Sequence, residues 1–284
     1  MALNSVVRFL KKLKLYNIQK GLRYLKHFGW KEFLVRLSER MEPEEVPYGP
    51  WYEEHRAKPE ELERQRKQSL AWRKKGSEEQ PCVFSIAVPV FHTPEKFLCE
   101  MIESVQAQSF PFWELCIANA APEDETVAEV LEKYCRQDRR IRVQNLDENR
   151  GISENTNAAL EMARGTFVGL LDHDDLLAPD ALYEMASRLE KDAGIDVFYT
   201  DEDKVTTDLS EHFQPHLKPD FNLDLLRSNN YICHFFTVRR EIAEKIGGFR
   251  PEFNGAQDYD FIFRCTEQAE KIVHIPRILY HWRV

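Results

Sequence analysis

Four polar side chains follow one another at residues 172–175, where the apolar run FVGLL gives way to Asp, His, Asp and Asp. Carboxylates before a helix often cap its free N–H groups, but one or two are enough for that purpose. Three carboxylates about 4 Å apart repel one another by up to ~4 kcal/mol per pair at an effective dielectric constant of about 20. A divalent cation removes this repulsion, and oxygen ligands suit Mg²⁺ or Mn²⁺. The segment therefore indicates either an acidic surface loop or a metal site.

The elements that position this segment alternate between apolar strands and helices from residue 83 onward. Strands are predicted at 83–91, 113–120, 141–146, 167–171 and 195–200, and helices at 94–108, 125–137, 153–165 and 180–191. Ser153 is predicted to cap the third of these helices. Apolar strands joined by helices imply an α/β fold with a mostly parallel sheet that is covered on both faces. Ligands bind such sheets beyond the carboxyl ends of the strands, so the polar endings PVFH, ANAAPED, LDHDD and TDEDK are expected on one rim.

Residues 1–80 differ from the rest and are predicted to form a helical, basic extension with a linker, followed by an α/β domain at 81–284. Residues 1–40 carry a net charge of +8, whereas the whole chain carries -9. An acidic body with one basic arm argues against a nucleic-acid binder. Two roles for the arm stay open: a peripheral membrane contact in the headgroup layer of an anionic bilayer, or a helical hairpin packed on the α/β domain.

Composition favours a cytoplasmic protein, at the inner face of the cell membrane if the arm binds lipid. No run of 18 uncharged apolar residues exists, and Lys11, Lys12 and Lys14 interrupt any secretory signal. None of the six cysteines lies within three residues of another, so no zinc knuckle or redox pair is predicted.

Five segments in this order resemble the family-2, GT-A type inverting glycosyltransferases: FSIAVPVF, SVQAQSFPFWELCIANA, DENRGISENTNAALEMARGTFVGLLDHDD, NGAQDYDFIFR and IPRILYHWR. The resemblance covers residues 82–284. It implies a GT-A fold, which is a Rossmann-like, mostly parallel sheet flanked by helices. It also implies transfer of a hexosyl or deoxyhexosyl group from a nucleotide-diphosphate sugar to an acceptor hydroxyl. The TDEDK segment resembles a bacterial branch that builds cell-surface polysaccharide, so the expected acceptor is a glycan or a lipid-linked sugar.

The resemblance assigns roles to individual residues. Asp172 and Asp174 match the D-x-D motif that holds Mn²⁺ or Mg²⁺ against the donor's diphosphate, and His281 matches a late histidine that completes the metal site in some members. Asp258 matches the catalytic base. The residues matched to donor binding are Pro89, Phe91, Asn119, Asn149, Arg150, Gly151, Asn155 and His173. Candidate sugar or acceptor contacts are Asp201, Glu202, Asp203 and Gln257. Asn119 stands where relatives usually have an acidic residue, which leaves the nucleobase open.

Other interpretations of these residues stay open. Asp258 could be a helix cap, His281 a core histidine, and residues 201–203 an exposed charge run. A nucleotidyltransferase would have a similar sheet and a metal, but it would normally carry a glycine-rich loop after the first strand, where this chain has VFHTPEKF. A non-catalytic sugar-binding or scaffold module is a further alternative. Loss of Asp172, Asp174 or Asp258 would have favoured it, and all three are present.

Overall fold

The structure, a computed structural model, describes residues 24–26, 29–31, 33–34, 47–70 and 82–284. The chain divides into two compact units, Met1–Trp51 and Tyr52–Val284. In the first unit, residues 24–26, 29–31 and 33–34 are helical, and most of the basic arm at 1–40 lies outside the described residues. The second unit contains the whole sheet and is described below.

Two helices precede the sheet in the chain, α1 (Tyr48–His55) and α2 (Pro59–Ser69). Helix α2 lies within residues 1–80, the predicted extension, but it belongs to the same compact unit as the sheet. Its Gln65 is buried, and the Oε1 atom of Gln65 accepts a hydrogen bond of 2.6 Å from the hydroxyl of Ser109. This buried hydrogen bond, together with one of 2.6 Å from the hydroxyl of Tyr183 to Gln68, joins the charged helix to the rest of the unit.

Through residue 200 the remaining elements alternate as the sequence predicts, except that a short strand at Leu176–Leu177 was not predicted. The strands are β1 (Phe84–Val90), β2 (Trp113–Asn119), β3 (Ile141–Asn145), β4 (Phe167–Leu170), β5 (Leu176–Leu177), β6 (Val197–Val205), β7 (His212–His216), β8 (Thr237–Arg239) and β9 (Ile272–Arg283). The helices are α3 (Glu95–Gln106), α4 (Glu125–Gln137), α5 (Ile152–Glu161), α6 (Ala181–Leu189), α7 (Leu223–Ser228), α8 (Arg240–Lys245) and α9 (Gln257–Gln268), with a 3₁₀ turn at Pro251–Phe253.

The described strands form one sheet in the order β3-β2-β1-β4-β8-β6-β9-β5, with β7 paired to β6. β3, β2, β1 and β4 are parallel neighbours, and β1, β2 and β4 are buried along their whole length. Apolar side chains cover both faces of the sheet. The prediction of an α/β fold with a mostly parallel sheet between helices is confirmed.

The parallel half of the sheet brings strand ends to one rim, as expected, but β6 departs from the prediction. β4 ends at Leu170, two residues before Asp172. β6 instead runs on to Val205 between β9 and β7, so residues 201–203 lie within a strand and not in a loop beyond it. No helix in the described ranges is long and apolar enough to cross a membrane.

Candidate active site

The loop after β4 directs two of its three carboxylates toward a cleft and buries the third. Asp175 is almost fully buried; it accepts hydrogen bonds from the Tyr280 hydroxyl at 2.6 Å and from the Arg283 backbone N–H at 2.8 Å. Burial, together with the charge of Asp172, raises the pKa of Asp175 well above its usual value. Asp175 therefore anchors the loop, and Asp172 and Asp174 are left to line the cleft.

The cleft has a volume of about 180 Å³ and collects residues from distant parts of the chain. Its lining residues are Ala87, Pro89, Ile152, Thr156, Leu170, Leu171, Asp172, His173, Asp174, His234, Phe249, Gln257 and Asp258. Three of them are carboxylates and none is lysine or arginine. Among the described residues, no hydrogen-bond donor engages the carboxylate of Asp172 or that of Asp174 at normal distance. Two carboxylates whose oxygen atoms are not hydrogen-bonded can serve as ligands of a divalent cation.

Asp258 reaches the cleft from the first turn of α9. The cap of this helix is Ala256, so Asp258 is not the helix cap that the sequence left open. Its Oδ2 atom accepts a hydrogen bond of 3.0 Å from Gln257. Burial and the charge of Asp172 raise the pKa of Asp258 to about 6, and His234 and Gln257 oppose the shift. A carboxylate with a raised pKa that is still ionised at neutral pH suits a general base.

Asp260, two residues further along α9, serves a different purpose. Its carboxylate is paired with Arg250 and with Arg264, the latter at 2.7 Å. Burial raises the pKa of Asp260, but the hydrogen bonds from the two guanidinium groups outweigh burial and lower it. Asp260 therefore ties α9 to the preceding loop.

The matched donor-binding stretch forms the turn that enters α5. Gly151 caps the helix with a φ of 91°, a conformation that favours glycine. The Oδ1 atom of Asn149 accepts hydrogen bonds from the Gly151 N–H at 2.9 Å and from the Asn155 side chain at 2.8 Å. Arg150 is exposed and pairs with Glu148 at 3.6 Å. The turn places Ile152 on the cleft; Asn149, Arg150, Gly151 and Asn155 do not line it.

Of the other four residues predicted to bind the donor, two line the cleft and two do not. Pro89 and His173 line the cleft, and the Nδ1 atom of His173 lies 2.9 Å from the hydroxyl of Thr93. Phe91 is exposed beside the cleft residues of β1 but does not line it. Asn119 is fully buried at the end of β2, where it donates to Asn145 at 3.0 Å.

The side chain of His281 does not line the cleft with Asp172 and Asp174, although its backbone pairs with Leu176, two residues after Asp174. Because β9 pairs with β6 in a register that sets His281 opposite Asp203, the Nδ1 atom of His281 contacts the Asp203 carboxylate at 2.5 Å. Its Nε2 atom lies 3.0 Å from the hydroxyl of Tyr52. His212 binds the second oxygen of Asp203 at 2.8 Å. The structure thus places His281 in a buried network outside the cleft. Among the described residues, Asp203, His212 and His281 form the group of three possible metal ligands whose ligand atoms lie within 4.8 Å of one another.

The acidic run at 201–203 is buried, so the interpretation as an exposed charge run is wrong. Asp201 binds His274 at 2.9 Å, and Glu202 binds the wholly buried Lys218 at 3.1 Å. Together with the histidines around Asp203, these partners compensate three charges inside the sheet. None of the three residues lines the cleft, whereas Gln257, the fourth candidate contact, does.

His234 is a cleft residue that the sequence did not single out. It precedes β8, which lies between β4 and β6 in the sheet. Its Nε2 atom lies 3.9 Å from the Oδ2 atom of Asp172. No spacing pattern in the sequence identifies it, because the two residues are brought together only by the strand order. Ile152, Thr156 and Phe249 also line the cleft and were not singled out from the sequence.

Comparison with known proteins identifies the same region. The family profile described as glycosyl transferase family 2 matches residues 85–247. The O-antigen biosynthesis protein RfbC of Myxococcus xanthus is 36% identical over 201 residues, which is 71% of this chain and 16% of that protein. Chondroitin synthase of Pasteurella multocida is 30% identical over 69% of this chain and 20% of its own length. The chain thus spans less than a quarter of either relative.

Two solved structures have a similar fold. TarS 1-349 of S. aureus in complex with UDP matches with a TM-score of 0.60 at 23% identity, over 71% of this chain and 60% of that one. The mannosyltransferase PcManGT of Pyrobaculum calidifontis, in complex with GDP-Man and Mn²⁺, matches with a TM-score of 0.53 at 18% identity, over 76% and 62% of the two chains.

Proposed function

Because the chain belongs to glycosyl transferase family 2 and has the GT-A fold, we propose that it transfers a sugar, with inversion, from a nucleoside diphosphate sugar to an acceptor hydroxyl. Asp172 and Asp174 hold a divalent cation, and Asp258 is the general base. The observation that supports this assignment is that all three carboxylates line the same cleft. Asp172 and Asp174 in the loop after β4 and Asp258 in the first turn of α9 supply three carboxylates to the same small volume, although Asp172 and Asp258 are 86 positions apart in the sequence (258 − 172).

The charge of the cleft supports metal dependence. A nucleoside diphosphate is anionic, and the lining residues offer three carboxylates and no lysine or arginine to receive it. Repulsion of about 4 kcal/mol per close pair at an effective dielectric constant of about 20 opposes binding unless a cation intervenes. When bound, Mn²⁺ or Mg²⁺ neutralises the charge that the departing diphosphate gains. Asp172 and Asp174 are the residues that hold it.

Asp258 supplies the base on the acceptor side. Inversion is a single displacement at an anomeric carbon with oxocarbenium character, and the attacking hydroxyl is a poor nucleophile until a base takes its proton. Asp258 is held by Gln257 and stands on a helix that Asp260 fixes to Arg250 and Arg264. Its proton affinity, raised by burial, makes it a stronger base than an exposed aspartate while it remains ionised at pH 7.5.

The substrate class is proposed from the relatives and the cleft together. Synthesis of a cell-surface polysaccharide, by transfer of a hexosyl or deoxyhexosyl group to a glycan or lipid-linked acceptor, agrees with the names of RfbC and chondroitin synthase. The two structural neighbours carry UDP and GDP-Man, so the nucleobase stays open. A cytoplasmic reaction at the inner membrane face, with the 1–40 arm on lipid, agrees with the basic charge of the arm.

Release of free nucleoside diphosphate from a panel of UDP-, GDP- and dTDP-sugars tests the proposal. We expect release from one donor with Mn²⁺, little release with EDTA, and a loss of at least ~100-fold in Asp258→Asn. Release of pyrophosphate from a nucleoside triphosphate and a sugar phosphate would favour the nucleotidyltransferase. Sugar binding with no release from any donor would favour the binding module.

A further inference from the structure

We propose that Asp203, His212 and His281 form a second metal site, separate from the cleft, which binds Zn²⁺ and joins three strands of the sheet. One ligand atom from each residue lies within 4.8 Å of the other two. None of the three side chains lines the cleft, so this inference goes beyond the proposed function and does not depend on it.

Three neighbouring strands supply the three ligands. Asp203 lies on β6, the middle strand, and the parallel register with β9 sets His281 directly opposite it. His212 is the first residue of β7, on the other side of β6. The pairing of β6 with β7 shifts register between Glu202 and Lys204, which is at Asp203 itself. Such irregularities redirect a side chain locally and occur often beside functional sites.

The two histidines converge on the two oxygens of one carboxylate. The Nδ1 atom of His281 lies 2.5 Å from one oxygen of Asp203, and the Nδ1 atom of His212 lies 2.8 Å from the other. Neighbouring ligands of tetrahedral zinc, with bonds of about 2.0 Å, are roughly 3.3 Å apart. Small side-chain rotations therefore admit the ion between them. Two imidazoles and one carboxylate suit zinc better than Mg²⁺, which prefers oxygen ligands.

Burial gives the cation an energetic reason to bind. Asp203 is fully buried and His281 nearly so, whereas the side chain of His212 is 19% exposed. An ionised carboxylate away from water is costly unless an opposite charge or a metal compensates it. Neutral imidazoles donate hydrogen bonds to the carboxylate but do not neutralise its charge. A dication at this position neutralises it and binds both imidazoles.

Tyr52 covers the group and orients one of its ligands. It is buried, and the centroid of its ring lies 4.2 Å from that of His212 and 5.4 Å from that of His281. Its hydroxyl lies 3.0 Å from the Nε2 atom of His281. A metal-bound histidine almost always donates its other ring N–H to a polar partner. The hydroxyl can accept that hydrogen bond, which leaves Nδ1 of His281 to bind zinc.

The same strands carry two similar pairs outside the group. Asp201 on β6 contacts His274 on β9 at 2.9 Å, and Glu202 contacts His216 on β7 at 3.3 Å. Neither pair belongs to the group of three close ligands found among the described residues. These histidines therefore provide matched controls for the loss of a carboxylate–histidine contact without the loss of a metal ligand.

The consequence for the protein follows from the neighbours of His281 on β9. Tyr280 donates its hydroxyl to Asp175 at 2.6 Å, and the Arg283 backbone N–H donates to the same carboxylate at 2.8 Å. The guanidinium group of Arg283 also donates to the Asp174 carbonyl at 2.6 Å. Zinc on His281 thus ties β9 to β6 and β7 at the point where β9 holds the loop that carries Asp172 and Asp174.

Zinc binding to a protein with a disabled cleft tests the inference. The parent for all measurements is the full chain with Asp172→Ala and Asp174→Ala, so that the cleft carboxylates do not contribute. Titration with Zn²⁺ against a chelator should give one site per chain. X-ray absorption at the zinc edge should show two imidazole nitrogens and no sulfur, because none of the six cysteines belongs to the group.

His212→Phe in this parent removes one ligand and keeps a ring beside Tyr52. Loss of a group that only orients a ligand lowers metal affinity about 10- to 100-fold, so loss of a ligand should lower it at least ~100-fold. Asp203→Asn should do the same, whereas His274→Phe, the control, should keep the affinity of the parent. Zinc should raise the urea midpoint of the parent and of His274→Phe but not that of His212→Phe.

Tyr52→Phe tests the hydroxyl as a positioning group. The ring stays against both histidines, but Nε2 of His281 loses its partner. We expect zinc affinity to fall about 10-fold, with both imidazoles still bound at saturating zinc. Parental affinity in Tyr52→Phe would refute the positioning role of the hydroxyl.

Three results would overturn the second site: no zinc binding by the parent, sulfur among the zinc ligands, or equal losses of affinity in His212→Phe and His274→Phe. Each would leave the proposed glycosyl transfer intact, since that is measured by nucleoside diphosphate release from the wild type with Mn²⁺. Conversely, a wild type that releases no nucleoside diphosphate but binds zinc through His212 would contradict the proposed function and support the second site.

Discussion

Replacing Asp258 with asparagine should stop sugar transfer and at the same time make the cation-free protein more stable above pH 7. Burial and the charge of Asp172 raise the pKa of Asp258 to about 6 in the folded protein, against about 3.9 in an unfolded chain. A group with a raised folded-state pKa contributes stability that is fully present below the unfolded value and is lost as pH rises through the folded value. Two pKa units correspond to ~3 kcal/mol at 1.36 kcal/mol per unit.

Asparagine does not titrate, so the unfolding free energy of Asp258→Asn does not include this loss of stability with rising pH. The difference in unfolding free energy between variant and wild type should therefore grow by up to ~3 kcal/mol between pH 4 and pH 8. Urea unfolding in EDTA at several pH values measures it, and the melting temperature should rise by roughly 5–10 °C at pH 8. Mn²⁺ near Asp172 offsets the repulsion, so the gain should shrink in its presence.

Asp260→Asn is the matched control on the same helix, with the opposite sign. Asp260 has a lowered pKa and two arginine partners, so its stabilising contribution is present above its unfolded pKa and is lost in acid. The variant should be destabilised at pH 8 by about 1.5–3 kcal/mol, the range for a hydrogen bond to a charged group. Equal effects of the two substitutions, or a pH-independent effect of Asp258→Asn, would refute the electrostatic reasoning about the cleft.

Three further predictions concern the cation and the packing around the site. Mn²⁺ at about 100 times its dissociation constant should stabilise the wild-type protein by ~2.7 kcal/mol against urea, and Asp174→Ala should lose this gain. Gly169→Ala should destabilise the fold by about 1–3 kcal/mol, because its Cβ would lie 2.5 Å from Phe235, and Phe235→Leu in the same chain should recover part of the loss. Gln65→Ala leaves Ser109 without its 2.6 Å acceptor, so proteases should cleave α2 faster while the sheet stays intact.

The sequence predicted the parallel half of the sheet well because local pattern determines it. Strands that are almost wholly apolar, such as β1 and β4, need a sheet that is covered on both faces, and the helices between them show clear periodicity. Caps were less predictable. Ser153 does not cap α5: Gly151 is the cap residue, and the hydroxyl of Ser153 donates a hydrogen bond of 2.6 Å to Asn254 on a distant loop.

The candidate site was predicted where its residues follow a strand end or open a helix, as Asp172, Asp174 and Asp258 do. Residues of the site, or their burial, were missed where the side chains that contact them come from distant parts of the sequence. Residues 201–203 look like an exposed run until Lys218 and the histidines of β7 and β9 fold against them. His234 has no local signature, since only the insertion of β8 beside β4 brings it to Asp172.

Measuring donor binding and turnover separately is the most direct test of the distinct roles proposed for Asp174, as a metal ligand, and Asp258, as the general base. With the preferred nucleotide sugar, calorimetry in Mn²⁺ and nucleoside diphosphate release should be measured on the wild type, Asp174→Ala and Asp258→Asn. We predict that Asp174→Ala loses the Mn²⁺-dependent part of donor binding and all turnover. Asp258→Asn should bind donor as the wild type does but turn over at least ~100-fold more slowly. Unchanged Mn²⁺-dependent binding in Asp174→Ala, or normal transfer by Asp258→Asn, would contradict the account.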